Sequence, residues 1–192
     1  MQATLEPVTR TIEVDCSVEH AFTVFTDRIS SWWPLARHSI GGERAESIRI
    51  EPHEGGRLVE AIRGGEECVW GEVTAWNPPQ RLAFTWRVGA HASNPTEIEV
   101  RFRDEGGRTR VELEHRGWER LRDRAAASRA SYVDGWAFVL AEFERAVRGC
   151  GLYPDALVRS AQTEHGQARA PEVGVASEPR PAASAGTRCV TR

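Results

Sequence analysis

Two polar residues stand out because of the company the local pattern gives them. Between Arg57 and Arg63, Leu58 and Ile62 fall on one face of an alternating run, and Glu60 falls on that same face. Between Arg110 and His115, His115 shares a face with Val111 and Leu113. A carboxyl and an imidazole that meet in an apolar interior can trade a proton, which is the acid–base pair a cyclase would use. The other reading is that each sits at a rim or bonds to backbone and does no chemistry. A one-residue slip of register would move either of them outward.

Other candidates are thinner. His38 follows Trp32 and Trp33, and this stretch reads either as the mouth of a cavity or as a loop pinned by tryptophan packing. Cys16 and His20 are spaced as a pair of ligands, but no further ligands lie near them, so no metal is expected. Without a G-x-x-x-x-G-K-[ST] run the chain has no phosphate loop of that kind, and no cofactor is expected. Arg116, Arg120, Arg122, Arg124 and Arg129 make a locally basic stretch with only Glu119 and Asp123 nearby. It lacks the interleaved aromatics of a nucleic-acid platform and reads as a solvated connector.

The elements that must position these residues follow from periodicity. Val8 to Val14 reads as a first strand. Ser17 then caps a helix in which Val18, Ala21, Phe22, Phe25 and Ile29 recur at helical spacing, ending near Ser30. Short alternating runs follow at Ser47 to Glu51 and Arg57 to Arg63. Trp70 to Trp86 reads as a hairpin turned by Asn77, Pro78 and Pro79, since neither proline can donate to a ladder. Glu97 to Arg103 and Arg110 to His115 alternate most cleanly and belong to an antiparallel sheet wet on one side. A connector from Gly117 to Ala130 leads to a long helix from Ser131. Its stripe is Val133, Trp136, Leu140, Phe143 and Val147, and Ser131 with Asp134 resembles a capping box. Gly135 inside that helix points to close packing on the sheet or to room for a ligand. Gly149, Gly151 and Pro154 end it.

Alternation predicts a cavity wall of Leu58, Ile62, Val73, Leu82, Phe84, Trp86, Ile98, Val100, Phe102, Val111 and Leu113, faced by Trp136, Leu140 and Phe143. As ligand-binding residues the reading selects Trp32, Trp33, Leu58, Ile62, Val73, Phe84, Trp86, Val100, Phe102, Leu113, Trp136 and Leu140. The same residues would otherwise make a packed core.

The 192 residues suggest one domain with a remainder. That domain spans 1–153. Residues 154–192 contain no aromatic side chain and are rich in Ala, Pro, Ser and Arg, so they read as a disordered tail. A formal net charge of -3 argues against nucleic acid as a partner. All the basic residues are Arg. There is no signal peptide and no apolar run long enough to span a membrane, and the four cysteines are far apart. A cytoplasmic protein with reduced thiols is expected.

Strand, helix, six antiparallel strands and a closing helix make a helix-grip arrangement of the α+β class. On Trp32-Trp33-Pro34, Gly55-Gly56-Arg57, the Trp70 to Trp86 hairpin, the run Thr109 to Trp118 and Gly135-Trp136, the chain resembles the START-like (SRPBCC) superfamily. Within it the chain is similar to the bacterial branch homologous to the C-terminal domain of the heat-shock protein 90 ATPase activator. The resemblance covers Val8 to Gly149. It implies a curved sheet wrapped around the closing helix, with an apolar cavity between them for a small hydrophobic or aromatic molecule. The family's range also implies two alternatives. One is a polyketide-cyclase-like enzyme using Glu60 and His115. The other is a co-chaperone-type interaction module that meets a protein partner, or a second copy as a homodimer, through the outer sheet face, including whichever of Trp70 and Trp76 points outward.

Overall fold

The structure is a computed structural model that describes residues 5–88 and 93–150. The expected tail, 154–192, lies outside the described residues, as do Gly151 and Pro154. Seven antiparallel strands form one sheet: β1 (Val8–Val14), β2 (Ala45–Ile50), β3 (Arg57–Ile62), β4 (Glu66–Asn77), β5 (Arg81–Trp86), β6 (Thr96–Asp104) and β7 (Thr109–Arg116). Their spatial order is β1-β7-β6-β5-β4-β3-β2. Two short helices, α1 (Val18–Thr26) and α2 (Ile29–Trp32), follow β1, and a long α3 (Ala125–Cys150) is the last of the described elements. This is the helix-grip fold: a curled antiparallel sheet with the final helix on its inner face.

Local sequence accounts for the helices. The Ser17 side chain caps α1 by accepting from the His20 amide at 3.2 Å. The helix breaks at Asp27 and Arg28, so Ile29 starts α2 instead of ending α1. The closing helix begins six residues earlier than expected. Ser131 lies inside it and its hydroxyl donates to the Ser128 carbonyl at 2.7 Å, so the capping box with Asp134 does not form. The run Ala125-Ala126-Ala127 is built of the residue with the highest intrinsic helix propensity, and the helix starts on it. Before it, Trp118–Arg124 forms 3-10 turns that break at Arg122, where φ is 52°.

Strand β4 departs from simple alternation. Leu58 pairs with Gly71 and Val59 with Val69, so Trp70 is an extra residue opposite β3. Val73 pairs with Phe84 and Ala75 with Ala83, so Thr74 is extra opposite β5. Each bulge bends the strand and resets its phase. Trp70 and Val73, which strict alternation puts on opposite faces, are therefore both buried. A Cβ at Gly71 would lie 1.7 Å from the Thr85 carbonyl oxygen, so only glycine fits the bend.

The inner face is filled. Phe22 and Phe25 of α1 meet Phe102 edge-on at 5.4 and 5.6 Å, and Phe25 and Trp32 meet Phe143 at 5.2 Å each. Edge-to-face pairs at such spacings add about 0.5–1.5 kcal/mol each beyond area burial. On the outer face, Glu99 is 4% exposed and is gripped by Arg81, Arg101 and Arg116. Burial alone would raise its pKa, but the hydrogen bonds from Arg81 and Arg116 and the charge of Arg101 bring it down to about 2. The expected basic connector is engaged too. Arg116 pairs with Glu97, Glu99 and Glu114, Arg120 with Glu97, and Arg129 donates to the Glu6 and Pro7 carbonyls. Trp70 is fully buried and Trp76 packs on Phe22 at 5.3 Å, so neither offers an outward aromatic platform. Cys16 is a free thiol, whereas Cys68 is disulfide-bonded, which corrects the expectation of four reduced thiols. No helix among the described residues is long and apolar enough to cross a membrane.

Candidate functional site: a tryptophan-walled cavity at one end of the helix

Six of the seven tryptophans place their indole N–H on an acceptor inside the protein, and those bonds frame the site. Trp32 donates to the Val24 carbonyl, Trp33 to the His38 carbonyl and Trp118 to the His115 carbonyl. Trp86 donates to the Tyr132 hydroxyl at 2.7 Å. Trp70 donates to Glu60 at 2.7 Å, and Trp136 to His115 Nδ1 at 3.1 Å. Trp33, Trp70, Trp86 and Trp136 lie within 5.3–6.1 Å of their neighbours, centroid to centroid, as one aromatic block.

Glu60 and His115 are therefore not an acid–base pair. Strands β3 and β7 are separated by β4, β5 and β6, four strand spacings or about 19 Å along the sheet. Alternation correctly gives them one face, but strand order, which alternation does not encode, keeps them apart. The carboxylate of Glu60 accepts three N–H groups: Ile40 at 3.0 Å, Gly41 at 2.8 Å and the Trp70 indole. It fastens the 38–44 loop to the sheet. A Cβ at Gly41 would lie 2.8 Å from the Glu60 carboxylate and 2.9 Å from Ile62, so glycine is what lets the loop backbone come this near. For His115 the chemistry of its partners sets the tautomer. An indole can only donate, so Nδ1 accepts from Trp136, and Nε2–H donates to the Thr96 hydroxyl at 2.7 Å.

A cavity of about 270 Å³ lies beside the aromatic block. Its walls are Trp33, Arg37, His38 and Ser39 from the loop after α2, Trp86 and Val88 at the end of β5, and Ser131, Tyr132, Gly135, Trp136 and Val139 on α3. Of the residues selected from sequence, Trp33, Trp86 and Trp136 line it. Trp32, Leu58, Ile62, Val73, Phe84, Val100, Phe102, Leu113 and Leu140 do not; they are buried in packed contacts. The cavity sits at one end of the helix because α1, α2 and α3 fill the centre of the grip with Phe22, Phe25, Trp32 and Phe143. Its lining on α3 is a helical stripe that shares Trp136 with the core stripe of Trp136, Leu140, Phe143 and Val147 and otherwise runs beside it.

Gly135 distinguishes its two expected roles. A Cβ built there would meet nothing within 4 Å, so the glycine does not serve close packing; it leaves cavity space. On the polar side of the cavity, Ser39 accepts from the Gly42 amide and Ser131 donates to Ser128. Tyr132 is held protonated at neutral pH, as burial raises its pKa. His38 stacks on Phe138 with centroids 5.2 Å apart and planes 18° apart. Burial and then the neighbouring Arg37 lower its pKa, so the imidazole is neutral at neutral pH. Among the described residues no cluster of three His, Cys, Asp or Glu side chains could hold a metal ion.

The sequence matches the family described as Activator of Hsp90 ATPase homolog 1-like protein over residues 15–148. No curated protein matches it. Among solved structures it is similar to an anthrahydroquino-gamma-pyrone synthase, Txn09, complexed with SUM. That protein is 37% identical, with a TM-score of 0.54, over 76% of this chain and 99% of the other. The self-sacrificing resistance protein CalC from Micromonospora echinospora is 24% identical, with a TM-score of 0.56, over 74% of this chain and 94% of its own. The Aha1 dimer from Colwellia psychrerythraea is 18% identical, with a TM-score of 0.53, over 74% and 96%. The last two likenesses carry the fold alone.

Proposed function

The chain belongs to the activator of Hsp90 ATPase homolog 1-like family, within the START-like (SRPBCC) proteins, and from that premise we propose that it binds a small planar aromatic molecule in the cavity beside Trp33, Trp86 and Trp136. The observation that carries this reading is Gly135. A glycine inside a helix costs about 1 kcal/mol relative to alanine. Here nothing in the fold repays that cost, because an alanine would fit without contact. What the missing side chain leaves is space in a cavity lined by three tryptophans, and aromatic walls with a few polar groups are the usual form of a small-molecule site. At about 270 Å³ the space suits a compact guest of two or three fused rings better than a lipid chain.

The test is a titration of tryptophan fluorescence with anthraquinone, comparing the wild-type chain with Gly135→Leu. Saturable quenching is expected in the wild type. The leucine side chain fills the space and weakens binding at least tenfold, with no loss of thermal stability. Equal quenching of both proteins would refute the cavity as the site.

A second reading, ring-closing catalysis on such a guest, is favoured by one observation. The 37% identical solved structure, spanned over 99% of its length, is a synthase that by its name forms a pyrone. In this chain the acid–base work would fall to groups on the cavity wall. Glu60 and His115 are committed to Trp70, the 38–44 loop, Trp136 and Thr96.

A further inference from the structure

The cavity wall is uneven in charge. The side made by β5 and α3 is built on Trp86 and Trp136, and the side made by the loop after α2 carries Arg37, His38 and Ser39. The His38 imidazole is neutral at neutral pH, so Arg37 is the one formal charge among the described residues that line the space. No carboxylate belongs to that lining. Asp134, the neighbour of Gly135 on α3, is exposed and stands outside it. The whole chain has a formal net charge of -3, so a wall with a cation and no anion runs against the overall balance.

That charge is not spent elsewhere. Arg37 enters no ion pair among the described residues, whereas Arg81, Arg101 and Arg116 on the outer sheet face are all engaged by Glu99. It also reaches the site: after burial, the charge of Arg37 is the second cause that lowers the pKa of the His38 imidazole. The backbone beneath it is fixed. The amides of Arg37 and His38 both donate to the Pro34 carbonyl, at 3.1 and 2.9 Å, and the Trp33 indole donates to the His38 carbonyl at 2.7 Å. Glu60 holds the Ile40 and Gly41 amides just beyond. An uncompensated cation at the wall of a low-dielectric cleft gives the space a positive potential. A neutral guest gains nothing from it, and an anionic guest does.

We propose that the cavity takes an anionic aromatic guest, an aromatic carboxylate, with its rings among Trp33, Trp86 and Trp136 and its charged end toward the Arg37 loop. The inference rests on the aromatic-binding reading and names the charge class of its ligand. Arg37 is exposed and lines the cavity, which puts it at the mouth. There it acts as a charge and not as a fixed hydrogen-bond partner, so the assignment requires no particular rotamer.

The experiment titrates the full chain with anthraquinone-2-carboxylate and with its neutral isostere, anthraquinone-2-carboxamide, read by tryptophan fluorescence at low salt. The proteins are wild type, Arg37→Gln, Arg37→Glu and Arg103→Gln, with thermal melting recorded for each. Arg103 is a control for net charge alone. It lies roughly 23 Å along β6 from Thr96, the partner of Trp86. The wild type is expected to prefer the carboxylate by about fivefold, the upper end for a partly exposed ion pair. Arg37→Gln should reduce that preference to below about twofold, and Arg37→Glu should turn it in favour of the carboxamide. Arg103→Gln should keep it, and added salt should shrink it in the wild type. Equal binding of both compounds by the wild type overturns the assignment. So does a preference that survives Arg37→Gln, or one lost equally in Arg103→Gln. Those outcomes leave the aromatic site standing. Failure of both compounds to bind the wild type would instead remove the aromatic site and this assignment with it.

Discussion

Glu60 and His115 lie deeper in the molecule than His38, yet His38 is the one with hydrogen-bonding capacity unspent. Both deep groups have no solvent exposure, and each is saturated by partners from other elements. His38 is half-buried, stacked and held by its backbone, with its buried Nδ1 left without a hydrogen-bond partner among the described residues. Burial of a polar residue on an apolar face is thus a poor guide to chemistry when taken alone. What separates His38 from the two deep groups is a buried side-chain nitrogen, Nδ1, left without a partner after folding. Glu60 spends its acceptors on tethering the loop that carries His38. The deep end of the molecule is in this sense the support for the open end.

That contrast can be broken most forcefully at Glu60. Glu60→Ala leaves three N–H groups without an acceptor, two of them on the loop. A loss of at least about 3 kcal/mol is expected. In a chain of this size that corresponds to a melting temperature lowered by about 6–12 °C, measurable by calorimetry or circular dichroism. Guest binding should weaken as well, because the loop loses its tether. Unchanged stability would mean that the carboxylate is dispensable and that the deep end does not support the open one. A smaller loss is expected of His115→Leu, about 2 kcal/mol, since it strands the Trp136 indole N–H and the Thr96 hydroxyl. Hydrogen exchange at the Trp136 indole should speed up in that variant. At the open end the sign reverses. Gly135→Ala should stabilise the protein by about 1 kcal/mol through helix propensity alone, because the added methyl group touches nothing. A destabilised alanine variant would show that the space beside Gly135 is smaller than described.

Much of the fold was legible because period-two runs and one amphipathic helix are written directly in residue type. Alternation and capping place β1 and the Ser17 cap of α1 at their true positions, and the other strands to within a residue or two, apart from the start of β4 at Glu66. Alternation failed where backbone geometry, not side-chain chemistry, sets the phase. The bulges at Trp70 and Thr74 bring Trp70 to the inside, and the only trace in sequence is Gly71, which permits the Thr85 carbonyl to approach. The start of α3 is hidden in the sequence because Ala125-Ala126-Ala127 carries no apolar stripe of helical period, although alanine is the strongest helix former. For the site, the tryptophans could be found but their void could not. Whether Val100 or Val139 faces empty space depends on how α1, α2 and α3 seat on the sheet, and no local pattern records that. Gly135 was the one available signal for room in the helix, and His38 beside two tryptophans was the signal for the mouth.

Gly135 also bears on how such a protein diverges. Alanine and valine codons are each one base away from a glycine codon, and the two residues add one and three carbons to this wall of the cavity. Because an added Cβ at this position meets nothing within 4 Å, the alanine step meets no resistance from the core. On the proposed reading, the size of the accepted guest can therefore be graded at this one position in single mutational steps.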